Sequence, residues 1–588
     1  MSNFRIDDVF HAGPLGLLRV QDKNFEPAQT GQELSGYFSA EKIRLWASTK
    51  TVLTPPPTDN HKGLYRRMVD PYEIRVLELK PGSADEELRA SLHHCSVEFD
   101  TSNKSVDGTI WRHATSAQNP EQPIWYTALS YTWGEPIFSG NVVCDGHNKA
   151  ITASLEAFLK RFRSKDHSIT LWIDQICINQ DDNKEKEKQI PLMGRIYAHA
   201  LSTIIWLGEA GTVSDAAIKL LEDATFRLSI GDAVFGPEDF ERIYLPAAGS
   251  GIWAELWDLL SRPWFRRVWI VQELIVSRDV WVACGDSTMR WDLLSCACNN
   301  MVQAGVSSWL HDRFAGSRNT EWDDVCRWIE ELAALKTRFE TLNVFNNLLV
   351  LLVGNRDSKC FDLRDKIYGL LGMCSDLERR AVKVRYDDGY KASQLYHDVT
   401  TYLLTDDRES IQQMLYAVDH DSHDAPSWVP DWSQPRQTVS LGYKTSTRNV
   451  YTASGLTKSH LRLDPNRLDE LHMRGIYFDT ITETGDIFTN PDLSYVSPTT
   501  ENRDLISCAD FVANLGSYPS GCTIFDALWK TLVAGRDDTG YSECPPPSPK
   551  SSVSSSTNPL AAHPLYEDKP THSARSAQGV GANSDSPA

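Results

Sequence analysis

Trp269 and Glu273 stand four residues apart in the segment Arg262-Pro263-Trp264-Phe265-Arg266-Arg267-Val268-Trp269-Ile270-Val271-Gln272-Glu273. In a helix that spacing puts both side chains on one face, presenting a ring edge and a carboxylate to one point. Such a carboxylate could stabilise an oxocarbenium-like centre in a glycosidic cleavage while the ring stacks on a base or ribose. The competing role for Glu273 is an ion pair with Arg266 or Arg267 that fixes the helix. Asp174 closes a second apolar run, at the strand end where open α/β sheets place ligand-binding groups. It could orient a ribose hydroxyl there, or cap the following turn through backbone N–H groups. Ser130, Trp133 and Gly134 end a neighbouring run and could enter the same crevice. Trp133 suits the core equally well, and Gly134 suits a turn conformation closed to other residues.

These groups need elements to position them. Residues 126–131 read as a buried strand ending in a tight turn, and Ile74-Arg75-Val76-Leu77-Glu78-Leu79 as a strand stopped by Pro81-Gly82. Ser154 can cap a helix in which Leu155, Phe158, Leu159 and Phe162 form one apolar face. Residues 169–173 read as a strand, and Ile190, Met193 and Tyr197 as an amphipathic helix. Pro191 belongs in its first turn, because an interior proline would cost about 3 kcal/mol. Residues 202–207 give a third strand, ending at Gly208. Strands separated by helices at these spacings predict a parallel sheet covered by helices, with the strands near Ala128, Leu171 and Ile204 adjacent. Pro263 starts a helix running to Ser277, and 280–284 is a further short strand. Helical periodicity dominates 322–371 and 390–404. Ala425-Pro426-Ser427-Trp428-Val429-Pro430-Asp431-Trp432 reads as an ordered loop, since two prolines four apart exclude a helix. The expected organisation is an N-terminal region over 1–63, an α/β domain over 64–290, a mainly helical region over 291–540 and a disordered tail over 541–588.

Composition bounds the rest. At 588 residues and 41% hydrophobic content the chain can bury several cores, and its net charge of -20 opposes a phosphate-backbone binder. Residues 1–20 show no secretory signal, and the longest apolar run, at 348–353, falls far short of the ~20 residues that span a bilayer. An intracellular, cytoplasmic protein without a membrane span is expected. Twelve cysteines lack paired spacing, and Cys177, between Ile176 and Ile178, reads as a buried thiol rather than a nucleophile. Asp181-Asp182 and the alternating charges of 184–188 read as a solvated helix start rather than a metal site. No phosphate-binding or dinucleotide-binding glycine motif is present.

Several segments carry a resemblance. Ala128-Leu129-Ser130-Tyr131-Thr132-Trp133-Gly134, Leu171-Trp172-Ile173-Asp174-Gln175-Ile176-Cys177-Ile178-Asn179-Gln180 and the Arg262 to Glu273 segment resemble, in order, the three signatures of fungal heterokaryon-incompatibility (HET) domains. Asp365-Lys366-Ile367-Tyr368-Gly369-Leu370-Leu371-Gly372 and Ser427-Trp428-Val429-Pro430-Asp431-Trp432 extend the likeness, which covers about 74–529. The resemblance implies vegetative incompatibility, in which non-self recognition ends in programmed cell death. HET domains are in turn distantly similar to Toll and interleukin-receptor (TIR) domains, which implies a TIR/flavodoxin-like parallel core and, as in some TIR proteins, cleavage of NAD. On that reading Glu273 is catalytic, Ser130, Trp133, Asp174 and Trp269 bind substrate, and NAD is a substrate with no cofactor or metal required. The alternative is a non-enzymatic signalling module that oligomerises and recruits a separate effector, favoured by the long 209–261 insertion before Trp269. Either role implies self-association or a non-self sensor as partner.

Overall fold

The computed structural model of this chain describes residues 63–97, 114–117, 123–213, 215–229, 234–314, 325–342, 347–406, 414, 417–418, 424–435, 461–464 and 467–473. The region expected over 1–63, apart from Gly63, and the tail expected over 541–588 lie outside the described residues.

The described chain begins with two antiparallel strands, β1 (Glu73–Leu79) and β2 (Arg89–Ser96), which pair Ile74 with Cys95 and Leu77 with Leu92. Short strands β3 (Ala114–Ser116) and β4 (Pro123–Ile124) extend that side, and β5 (Thr127–Tyr131) follows. A hairpin of β6 (Gly140–Cys144) and β7 (His147–Ile151) turns at Asp145-Gly146, both at positive φ as tight two-residue hairpins require. Helix α1 (Ala153–Phe162) then returns the chain to β8 (Ile169–Trp172). Helices α2 (Asp174–Cys177), α3 (Asn183–Gln189) and α4 (Met193–His199) lead to β9 (Ser202–Trp206). Helices α5 (Asp215–Arg227), α6 (Ile252–Leu260) and α7 (Trp269–Ile275) lead to β10 (Val280–Cys284), which turns into β11 (Ser287–Arg290).

In the sheet, β9 pairs in parallel with β10 on one side and β5 on the other, and β5 pairs in parallel with β8. The strands around Ala128, Leu171 and Ile204 are thus adjacent and parallel, as their spacing predicts. Every residue of these four strands is buried, which is why they are continuous apolar runs rather than alternating ones. The sheet as a whole is mixed, which corrects the expectation of a parallel one. β1 runs antiparallel to β8, with Leu77 opposite Leu171, and β11 runs antiparallel to β10. Parallel neighbours need a crossover of about a dozen residues or more, whereas the β1–β2 and β10–β11 links are short enough to close hairpins.

In α1, Leu155, Phe158, Leu159 and Phe162 are all buried, with Phe158 stacked on Phe162 at 4.5 Å and tilted against Trp206 at 5.9 Å. Its N-cap is Thr152, and Ser154 lies inside the first turn. Pro191 sits in a 3₁₀ turn over Ile190–Leu192 just ahead of α4, where its missing N–H costs nothing. The helix expected from Pro263 to Ser277 is broken in two. A 3₁₀ turn covers Pro263–Arg266, Arg267 is extended, and α7 starts afresh at Trp269. The cause is tertiary: the backbone at Arg267 bridges to Lys359, with Val268 N–H donating to Lys359 O at 2.9 Å.

Helices α8 (Trp291–Gln303), α9 (Val306–Phe314), α10 (Val325–Leu342), α11 (Leu348–Gly354), α12 (Asp365–Tyr368), α13 (Asp376–Ala381) and α14 (Ala392–Asp406) make the following region mainly helical. A separate strand pair, β12 (Leu461–Asp464) with β13 (Arg467–Met473), was not foreseen. Residues 424–435 form the expected ordered loop, in which Arg356 donates to Asp431 O and Gln434 O at 3.0 Å each and stacks over Trp432. No helix of the described residues is long and apolar enough to cross a membrane.

One close approach fixes α4 against the helical region. A Cβ on Gly194 would lie 2.6 Å from Gly372 Cα and 2.8 Å from Gly372 O, both backbone atoms that cannot turn aside. In an exposed helix Gly→Ala stabilises by up to about 1 kcal/mol. Here Gly194→Ala is expected to destabilise by about 1–3 kcal/mol through overpacking, read as a lower unfolding midpoint.

Candidate functional site

β5 delivers Ser130 one residue before the carboxyl end of a fully buried strand, held in place by Tyr197 Oη donating to Leu129 O at 2.9 Å. Ser130 Oγ donates to Glu273 Oε2, and Trp264 Nε1 donates to Ser130 Oγ at 2.8 Å. The hydroxyl is therefore oriented: it accepts from the indole and spends its proton on the carboxylate. The 3₁₀ turn at Pro263–Arg266 supplies Trp264, and α7 supplies Glu273. Ser130 and Trp264 are each 1% exposed and Glu273 is 3% exposed, so this is an enclosed group rather than an open cleft. Burial raises the Glu273 carboxyl from 4.5 to about 7, and Asp174 adds to the rise, against the opposing pull of Arg267 and of the Ser130 hydrogen bond.

Asp174 follows the end of β8 and is partly buried. Trp133 Nε1 straddles its carboxylate at 3.3 and 3.1 Å, and its Oδ1 accepts from Gln175 N–H at 2.7 Å. Burial raises its carboxyl, opposed chiefly by Arg267. Asp174 thus holds its own turn through a backbone N–H, and it stays partly accessible. Gly134, at φ 75°, has the left-handed conformation that a side chain would disfavour.

The arginines do not clasp Glu273. Arg267 Nη1 donates to Tyr131 O, at the end of β5, and acts on Glu273 and Asp174 through space. Trp269 and Glu273 share a short helix but bond to different partners: Trp269 Nε1 donates to Asp365 Oδ2 at 3.0 Å. Asp365 Oδ1 accepts from Tyr386 Oη at 2.6 Å, and burial pushes its carboxyl up to about 6. Trp264 and Asp365 are participants that the sequence reading did not single out. Each lies in a segment already conspicuous for its motif, and the missing signal was which of its polar groups faces inward.

Two readings of charged and thiol groups resolve differently. Cys177 is a buried thiol, pushed up to about 12 by burial, with its Sγ accepting from Ile173 N–H at 3.4 Å. The charged run 181–188 is more than a solvated helix start. Asp182 does cap α3, accepting from Lys184 and Glu185 N–H, but Glu185 turns inward. Its two oxygens take the buried Arg75 guanidinium at 2.7 and 3.0 Å. An open groove of about 550 Å³ lies elsewhere, lined in part by Gly82, Lys160, Arg161, Arg163, Glu209 and Asp286. Its charges answer one another, Arg161 bonding both Glu209 and Asp286.

The family model for heterokaryon incompatibility protein (HET) matches residues 126–273, a span that starts just before β5 and ends on Glu273 itself. Heterokaryon incompatibility protein 6, OR allele, of Neurospora crassa is 27% identical over 372 residues. That match covers 53% of this chain and 54% of the relative, so the chain spans about half the length of the curated relative it matches. No solved structure matches. The enclosed Ser130–Glu273 pair thus lies inside the span that is similar to the HET family.

Proposed function

We propose that this chain acts in vegetative incompatibility, triggering cell death on non-self recognition by cleaving NAD at its nicotinamide glycosidic bond. The observation that carries this reading is the bond between Ser130 and Glu273 at the carboxyl end of a central parallel strand, with Asp174 at the end of the next strand. Numbered along the chain, the parallel run β8-β5-β9-β10 has the order 2-1-3-4, that of flavodoxin-like sheets. Such sheets bind ligands at the carboxyl ends beside the first strand, which supports a TIR-like core within the mixed sheet.

In this reaction the bond between the ribose anomeric carbon and the nicotinamide nitrogen breaks, and its electron pair neutralises the pyridinium. Water forms the new bond at that carbon and releases a proton. Ionised Glu273 stabilises the positive charge that develops on the ribose, and a carboxyl near 7 is substantially ionised at neutral pH. Asp174 accepts a ribose hydroxyl, and Trp133 and Ser130 shape the same end of the sheet.

A specific observation favours the second reading, a signalling module that recruits a separate effector: Glu273 is 3% exposed, so substrate reaches it only after a rearrangement. The deciding experiment incubates the purified full chain with NAD, with and without forced dimerisation, and separates the products by chromatography. Nicotinamide release is expected, stronger on dimerisation. Intact NAD under both conditions would leave the signalling module as the reading.

A further inference from the structure

We infer that Asp365 and Lys336, both beyond the span matched by the HET family model, are positioning residues that hold the Glu273 carboxylate against Ser130. Helix α7 is seven residues long, too short to persist on its own backbone hydrogen bonds. Its ends and middle are held by groups that come later in the chain. At the start, Asp365 takes the Trp269 indole N–H at 3.0 Å, and Lys359 pairs with the backbone on both sides of Arg267. In the middle, Gly372 N–H donates to Gln272 Oε1 at 3.0 Å. At the far end, the Lys336 ammonium, 6% exposed, donates to Leu274 O at 3.3 Å and to Ser277 O, while Glu340 balances its charge at 2.8 Å.

The charges also have the helpful sign. A carboxylate beside the first turn and an ammonium on the last carbonyls both complement the helix dipole. Glu273 sits between these two ends, so rotation or fraying of α7 draws its carboxylate away from Ser130. The ionisable groups around that carboxylate are Asp174, Arg267, Tyr131 and Tyr197. Around Asp365 they are Cys360, Asp362, Arg364, Tyr368, Tyr386 and Tyr396. None of these is altered in the variants below.

The inference rests on the proposed reaction only where turnover is measured, so its test has two arms. In the first, thermal unfolding of the full chain is followed from about pH 5 to about pH 9 for wild type, Glu273→Gln, Asp365→Ala and the double variant. Glu273→Gln gains stability relative to wild type as pH rises, and in the Asp365→Ala background most of that gain is expected to vanish, because Glu273 has become solvated. Lys336→Met, which keeps the aliphatic stem, is expected to do the same. An undiminished gain, with midpoints lowered equally at every pH, would make these residues merely structural and overturn the inference. Should Asp365→Ala fail to fold, Asp365→Asn, which keeps one acceptor oxygen, carries the same comparison. The second arm measures nicotinamide release, expected to fall at least tenfold in Asp365→Ala and Lys336→Met. A wild type that releases none sinks the NAD reading, while the first arm still decides the positioning role.

Discussion

Glu273→Gln is expected to abolish nicotinamide release and cell killing while making the folded protein more stable at alkaline pH. Losing one electrostatic contact to a developing charge typically costs ~2.7 to 4 kcal/mol, about a hundred- to thousand-fold in rate. Glutamine keeps the size and still offers Ser130 a carbonyl oxygen, so the packing survives. The stability effect follows from the raised carboxyl. Burial takes Glu273 from 4.5 to about 7, so the folded chain holds this proton more tightly than the unfolded one. The corresponding stability is fully present below about pH 4.5 and is lost as pH rises through about 7. At about 1.36 kcal/mol per tenfold in proton affinity, Glu273 costs wild type roughly 3 kcal/mol across that window, a loss on top of the other raised carboxyls that the glutamine variant does not share. Melting both proteins near pH 5 and near pH 8 reads the difference directly. Parallel pH profiles would mean that Glu273 titrates as an ordinary carboxylate, and a stable, fully lethal Glu273→Gln protein would end the NAD-cleavage reading.

Glu185→Gln is expected to cost about 3–5 kcal/mol, because it leaves a buried guanidinium without its counter-charge. Arg75 lies in β1 and is 1% exposed. Besides the paired bonds to Glu185, it donates to Arg66 O at 2.6 Å and Cys177 O at 3.2 Å, and it stacks on Tyr65 at 4.9 Å. Glu185 also accepts from Asn179 N–H at 2.7 Å. The pair thus ties β1, the α2–α3 link and the 63–66 segment together, directly behind the strand end that carries Asp174. Replacing both partners by apolar groups, as in Arg75→Met with Glu185→Leu, is expected to recover most of the loss, since a matched apolar pair is often close to neutral. Urea denaturation of the single and double variants separates the cases. A single variant within about 1 kcal/mol of wild type would place the pair among weak, solvent-compensated ones.

The central strands were legible because each is an apolar run closed by a residue with its own turn chemistry: Gly134 after β5, Asp174 after β8, Gly208 after β9. The buried face of α1 was legible for the same local reason, its period of 3.6. Strand direction outside the parallel run was not. Apolar content marks 74–79 as a strand but says nothing of its partners, and β2, whose buried positions include the polar His93, gave little periodic signal. Two hairpins did leave a usable trace, Asp145-Gly146 and Gly285-Asp286, turn pairs flanked by strand formers. At the site, spacing alone put Trp269 and Glu273 on one helix. It could not show that Glu273 would meet Ser130 rather than an arginine, because that choice is made by Lys359, Asp365 and Gly372, roughly a hundred residues away. Glu185 shows the same limit: within 181–188 it looks like one charge among many, and only Arg75 on a distant strand makes it an interior group.

Lys336, Lys359, Asp365 and Gly372, which seat α7, all leave the ribosome after Glu273 does. At roughly 5–20 residues per second, the ~100 residues from Glu273 to Gly372 take on the order of 5–20 s to make. During that interval a nascent chain displays the whole matched signature while the helix bearing its carboxylate has β5 and α4 to pack on but lacks the anchors at its two ends. A product truncated by a broken message or a premature stop stays in that condition permanently. In a protein proposed to kill the cell that makes it, the seating of Glu273 thus depends on residues translated well past the signature.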